Sequence, residues 1–304
     1  NGYQYRVQIS TSACAAAASN AALLTVEGPI TVNQNPLNQI VCVGGTATFV
    51  FSASTPGGTL VYQWYVSTDG GANYNPIGGA TSSTLVVNPV TIAMNGYRYR
   101  VGYGTASCAE QQSNFANLTV EGPISISTQP QNQSVCAGNN ALFSISANAG
   151  AGTLAYQWQV STDGGANWSN LAGANSSSYT VTGATIGQNG YKYRVLLTSG
   201  ACAQVISNAA TLSVAAPFSI STQPANSTKC AGENTTFSVT VTGGSVTYQW
   251  EISTDGGSNW SNVSLATSST LTVNNVLAAQ NGHRYRVQIN GGACGNATSN
   301  VAIL

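Results

Sequence analysis

The sequence predicts an all-β chain of tandem β-sandwich domains, and three observations carry that reading. Apolar and polar residues alternate with a period of two through most of the chain. No segment holds a helical period for more than a turn or two. A seven-residue phrase, Asn-Gly-x-x-Tyr-Arg-Val with Gln4 and Tyr5 in its first copy, returns at residues 1–7, 95–101, 189–195 and 281–287, in steps of about 94, 94 and 92 residues. That step is the size of one small sandwich and too long for a solenoid unit.

A second phrase keeps the same step, as Tyr62-Gln63-Trp64, Tyr156-Gln157-Trp158 and Tyr248-Gln249-Trp250. The repeats are therefore read as 27–121, 122–215 and 216–304. Residues 1–26 correspond to the C-terminal strands of a preceding repeat. Two strands cannot bury a core by themselves, so this piece is expected to belong to a longer array or to complete a domain with another chain.

Within the second repeat, the runs 141–147, 154–161, 178–182, 191–197 and 209–214 alternate apolar with polar, and Gly, Asn, Asp and Ser punctuate them. Alternation leaves one face buried and one wet. Two antiparallel sheets packed face to face satisfy that pattern.

Composition narrows the partners. Charged residues are 5% of the 304, and eight basic side chains cancel eight acidic ones. Neither nucleic acid nor an anionic membrane surface is expected to bind a chain without a basic face. Apolar residues reach 42%, which argues against disorder. No run approaches the roughly 18 apolar residues of a spanning helix and no signal peptide stands at the start, so a mature, soluble segment is expected.

Each repeat resembles an immunoglobulin-like domain in its order of landmarks. With 141–147 as strand B, 154–161 as strand C and 191–197 as strand F, these are Gly138, then Phe143 and Ile145, then Trp158, then Tyr191 and Tyr193. The resemblance puts Ile145 and Tyr193 where that family carries its inter-sheet cysteines, and Tyr191 at the tyrosine corner. The disulfide is thus expected to be replaced by apolar and aromatic packing around core residues Trp64, Trp158 and Trp250. In the third repeat His283 takes the place of Tyr97 and Tyr191.

The chain is also similar to the repeats of very large surface adhesins and secreted filament proteins of Bacteroidota. The similarity rests on the Cys-x-Gly opening, the Ser-Thr-Asp-Gly-Gly hairpin and the Gly-containing turn before a second Cys. It implies an extracellular, cell-surface location and, as partners, further repeats or identical chains in a fibre.

Seven cysteines fall into two classes: Cys42, Cys136 and Cys230 before strand B, and Cys14, Cys108, Cys202 and Cys294 after strand F. Without a Cys-x-x-Cys or Cys-His cluster, the spacing reads as disulfides in an oxidising compartment. In the immunoglobulin-like topology the two classes sit at opposite poles. Roughly seven strand residues at about 3.3 Å each hold the poles ~20 Å apart, whereas bridged Cα atoms lie within about 7 Å. Pairing between neighbouring repeats, Cys42 with Cys202 and Cys136 with Cys294, is favoured on that ground. It would leave Cys14, Cys108 and Cys230 with partners outside residues 1–304. Pairing within repeats, Cys42 with Cys108 and Cys136 with Cys202, stays open, because sequence does not fix connectivity.

Chemistry-bearing motifs are sparse. Ser67-x-Asp69-x-Gly71, Ser161-x-Asp163-x-Gly165-x-x-Trp168 and Ser253-x-Asp255-x-Gly257-x-x-Trp260 resemble the Asp-box hairpin of sialidases and other β proteins, where it is a structural turn with an aromatic packed beneath. Basic residues gather on strand F, at Arg98, Arg100, Lys192, Arg194, Arg284 and Arg286. They form a candidate ligand face for glycan or protein, weighed against a simple solvated face. One histidine builds no triad, and eight scattered acids supply neither paired carboxylates nor a calcium cage. No catalytic residue, cofactor or metal is expected. Sequons such as Asn117-Leu118-Thr119 are expected by chance in so Asn- and Thr-rich a chain.

The function expected is that of a non-enzymatic structural stalk or filament segment. Its repeats are joined by Glu27-Gly28-Pro29, Glu121-Gly122-Pro123 and Ala215-Ala216-Pro217, joints with little slack. A glycan- or protein-binding adhesin module and an accessory region of a large secreted hydrolase are the competing readings.

Overall fold

The computed structural model describes residues 1–150 and 152–304, which form strands, turns and four single-turn 3-10 helices. The first full repeat lays down strands A (Thr31–Gln34), A′ (Gln39–Cys42), B (Ala47–Val50 and Ser52–Ser54), C (Val61–Ser67), C′ (Asn75–Pro76) and E (Thr84–Val87). Strands F (Arg98–Gly104) and G (Gln111–Gln112 and Ala116–Glu121) complete it. One sheet has the order C′–C–F–G–A′, with A′ parallel to G in the register Cys42 opposite Glu121. The other pairs A with the second half of B and E with the first half.

The second repeat follows the same order, with A′ Gln133–Cys136, C Leu154–Ser161, F Lys192–Ser199 and G Cys202–Ile206 and Ala210–Ala215. In the third, C is Thr247–Ser253, F is Arg284–Asn290, and G is Asn296–Thr298 and Ala302–Ile303. A short backbone bond from Ser227 N to Ile303 O (2.9 Å) stands there in place of an A′ strand. Residues 1–24 make two antiparallel strand pairs, with Tyr5, Val7 and Ile9 exposed where Tyr99, Val101 and Tyr103 are buried in the next repeat.

Each core forms around its strand C tryptophan. Trp64, Trp158 and Trp250 are fully buried, and each indole N–H is satisfied by a carbonyl: Ser82 at 2.8 Å, Ser176 at 2.9 Å and Ser268 at 3.0 Å. Beside the indole, a strand B phenylalanine stacks on a strand F tyrosine: Phe49 on Tyr99 (4.7 Å between centroids), Phe143 on Tyr193 (4.6 Å) and Phe237 on Tyr285 (4.7 Å). The residue facing Tyr193 is therefore Phe143 and not Ile145. Ile145 is buried as well, one step further along: its N–H continues the pairing toward strand E (Ser178–Val181) by donating to Ser177 O (2.9 Å), and its counterpart Phe51 packs on Tyr103, beyond Tyr99 along strand F. Burial pushes the phenols of Tyr99 and Tyr193 up to about 12, so both stay neutral as core residues.

The phrase Tyr-Gln-Trp also has a use for its middle residue. The Gln157 amide donates to Trp158 O (2.9 Å) and Leu171 O (2.8 Å), fastening strand C to the turn beyond C′, and Gln63 and Gln249 repeat the clasp.

The chain gathers into two compact units. One consists of Asn1–Ser125, Asn148–Leu154 and Thr198–Val205, the other of Ile126–Ala147, Ala155–Leu197 and Ile206–Leu304. The first unit thus takes in two turns of the second repeat along with the whole of the first.

Truncating Trp158 to Ala should cost about 3–5 kcal/mol, the usual loss for a large buried aromatic, whereas Trp168→Ala should cost less because that ring is only half-buried. Denaturant titration of the full chain compares the two. Equal losses would contradict the assignment of Trp158 as the core residue.

Candidate functional site

The distinctive chemistry lies where one repeat meets the next. Parallel pairing of A′ with G brings the end of A′ beside the end of G, so Cys42 lies opposite Glu121 and Cys136 opposite Ala215. Both cysteines then face the F–G turn of the following repeat. Cys42 is bonded to Cys202 with Cα atoms 4.9 Å apart, and Cys136 is bonded to Cys294 at 4.6 Å. These separations lie within the range that unstrained disulfides occupy. Among the described residues Cys14, Cys108 and Cys230 are unpaired.

A carboxylate keys the first of these joints. Glu121 is only 6% exposed, and its Oε2 accepts from Ser199 Oγ (3.0 Å) and from the Ala201 backbone N–H (2.9 Å). A buried charge is tolerated when its lone pairs are occupied in this way. Gly200 is required by the close approach: a Cβ there would collide with the Glu121 carboxylate. Glu27 makes the equivalent contact with Thr105 and Cys108. At the joint bridged by Cys136–Cys294 the position belongs to Ala215, which brings no carboxylate; within the third repeat the F–G turn lies close on Phe218, whose ring a Cβ on Gly291 would overlap.

The hairpins between C and C′ are closed turns. In the second repeat Ser161 Oγ donates to Asp163 (2.7 Å), Gly165 N–H donates to Ser161 Oγ (2.8 Å), and Asn167 donates to the same carboxylate through its backbone (2.9 Å) and side chain (2.7 Å). The Asn167 and Ser161 bonds hold the Asp163 carboxyl well below the usual carboxylate range, and Asp69 and Asp255 are held likewise. Gly165 sits at φ 106°, a conformation that favours glycine.

The strand F cations are each covered by their own domain. Arg100 stacks on Tyr74 (3.8 Å), Arg194 on Trp168 (4.1 Å) and Arg286 on Trp260 (4.1 Å). Arg194 Nε donates to Gln159 (2.8 Å), and Arg286 pairs with Glu251 (2.6 Å). Among the described residues Arg100 Nε has no partner, because Tyr65 occupies the equivalent place and gives its hydroxyl to Glu110 (2.9 Å). Arg98 lies over Phe115 at 4.6 Å, and Lys192 and Arg284 pass beneath the hairpin glycines Gly165 and Gly257. The hairpin aromatic therefore shields an arginine, a role its sequence position under the turn did not suggest. His283 fills the corner, its backbone N–H bonded to Gln280 O (3.0 Å) and its Nδ1 buried without a partner among the described residues. Among the described residues no group of three or more His, Cys, Asp or Glu is placed to hold a metal ion, and no helix is long and apolar enough to cross a membrane.

A family model described as Domain of unknown function (DUF8696) matches residues 32–122, 125–216 and 220–304. No curated protein sequence matches the chain. Among solved structures, the I-band fragment I67–I69 from titin aligns with TM-score 0.57 at 14% identity, over 91% of this chain and 98% of that one. An E-to-A variant of the same three titin domains gives 0.56 at 14%, over the same shares. Sidekick-1 immunoglobulin domains 1–5 align with TM-score 0.48 at 15% identity, over 100% of this chain and 66% of that one. The fold of this chain is that of tandem immunoglobulin-like domains.

Two outcomes test the site. Glu121→Ala removes the acceptor of the buried Ser199 hydroxyl and of the Ala201 N–H, and leaving the buried hydroxyl unsatisfied should cost about 1–3 kcal/mol. Hydrogen exchange at the Ala201 amide should accelerate in that variant, and unchanged protection would contradict the assigned bond. For the hairpins, a depressed folded-state pKa contributes stability that is present above the unfolded value of about 3.9 and lost as pH falls through the folded value. Carbon-detected NMR should find the Asp163 carboxyl still ionised at about pH 3, whereas an ordinary midpoint near 4 would rule out the bonding described.

Proposed function

Since the chain belongs to the family described as Domain of unknown function (DUF8696), a description that names no activity, we propose its role from the joints: it is a structural stalk or filament segment of an extracellular surface protein. The observation that carries this reading is the pair of disulfides linking neighbouring repeats, Cys42–Cys202 and Cys136–Cys294. Disulfides form and persist in oxidising compartments, which supports a secreted or cell-surface location. A tie across a joint restricts bending and twisting of one repeat on the next. Such restriction serves a segment that projects or connects, and it does nothing for catalysis.

The segment is proposed to be bacterial, of the Bacteroidota adhesin type, on its Cys-x-Gly openings and Ser-Thr-Asp-Gly-Gly hairpins. Its partners would be further repeats of the same kind, with no nucleic acid and no turnover of substrate. Direct capture of glycan or protein by strand F is the weaker alternative, because Arg100, Arg194 and Arg286 already spend an open face on an aromatic ring of their own domain.

Protease treatment of intact cells making the protein tests the location, and an array of glycans probed with the purified chain tests the role. The expected result is release of its peptides without lysis and no glycan signal. Peptides recovered only after lysis would overturn the surface assignment. A glycan signal lost in an Arg194→Ala and Arg286→Ala variant would replace the stalk with a binding module.

A further inference from the structure

The positions of the disulfides in the chain, and not only their presence, bear on how the repeats carry load. From Cys108 the backbone runs along strand G of the first repeat, through the joint and along strands A (Ser125–Thr128) and A′ of the second to Cys136. There the disulfide steps to Cys294, at the head of strand G of the third repeat. A second route reaches Cys202 from Cys42 through the other disulfide, then runs along strand G of the second repeat and into the third as far as Cys230. In the second repeat the two routes lie side by side, as Gln133–Cys136 paired in parallel with Leu212–Ala215.

We propose that the disulfides create two interleaved covalent tracks, each passing successive repeats alternately as strand G and as strands A–A′, so that tension bypasses strands B, C, C′, E and F. The stretch 136–202, tied at both ends, and the corresponding stretches 42–108 and 230–294, each tied at one end, about 64–66 residues each, then lie off the path of a track. Along a track, two repeats contribute about 28 residues, or ~100 Å at full extension, against about 190 residues and ~680 Å for the same two repeats without ties. Strand G and strands A–A′ are already near full extension in the folded state. A repeat can therefore lose its sandwich with little lengthening of the chain.

The parallel pairing adds a second property. Pulling on both tracks at one pole draws A′ and G in the same direction, so their hydrogen bonds are not sheared against each other. Side-chain carbonyls of Asn132 and Gln129, which accept from Thr211 N (2.7 Å) and Asn208 N (2.9 Å), hold the tracks together along the rest of the repeat. The inference rests on the stalk reading for its biological meaning, but the cell-surface result leaves its mechanical test unaffected.

That test is optical-tweezer extension of the whole chain, with handles at S107C in a C14S, C108S and C230S background and after Leu304. The track from there is about 40 residues long, so the non-reduced protein should stop lengthening at ~140 Å however high the force short of bond rupture. With reductant the ceiling should rise about fivefold, to ~700 Å. Adding C136S and C294S, which leaves Cys42–Cys202 in place, should give ~600 Å without reductant, because the remaining route has about 170 residues. Non-reduced protein extending beyond ~140 Å, or a C136S and C294S variant that still stops there, would overturn the tracks.

Discussion

The parallel pairing of A′ with G is the constraint on which the rest depends. It places Cys42 level with Glu121, and Cys136 level with Ala215, at the point where the chain leaves one repeat for the next. A cysteine one or two residues away along A′ would point elsewhere or fall short of the F–G turn, because bridged Cα atoms tolerate little more than about 7 Å. The same register hands the Glu121 carboxylate to Ser199 and Ala201. Covalent tie and buried charge are thus two consequences of one strand pairing.

Moving the cysteines out of the core is possible because aromatic packing does their work inside it. The stacks Phe49–Tyr99, Phe143–Tyr193 and Phe237–Tyr285 bridge strands B and F beside a buried indole in every repeat. Stacked aromatic pairs of this kind add to the area they bury. A disulfide at that place would cross-link a sandwich that is already filled. At the poles, where turns expose backbone and little apolar surface is available, a covalent bond contributes what packing does not. The two joints also differ: one adds a keyed carboxylate to its disulfide, and the other has Ala215 in that place.

Much of the fold was legible in the sequence, because alternation and a 94-residue period are direct images of strands and domains. The strand B partner of Tyr193 was misplaced by two residues. Phe143 and Ile145 both point inward, and period-two reading does not say which of two inward residues lies opposite a given position of strand F. Glu121 was legible only as part of a linker, since nothing local reveals that a turn about 80 residues later folds over it. The arginine stacks were missed although a signal exists: Tyr74 precedes Arg100, Trp168 precedes Arg194 and Trp260 precedes Arg286 by about 26 residues each. Aromatic and cation held at one spacing through three repeats mark cross-strand neighbours.

The central claim is that the poles of neighbouring repeats, and not the two ends of one repeat, are covalently joined. Non-reducing digestion of the purified chain followed by mass spectrometry of the linked peptides tests it most directly. The account predicts peptides joining Cys42 to Cys202 and Cys136 to Cys294, each collapsing to two masses on reduction. Peptides joining Cys42 to Cys108 and Cys136 to Cys202 would contradict it.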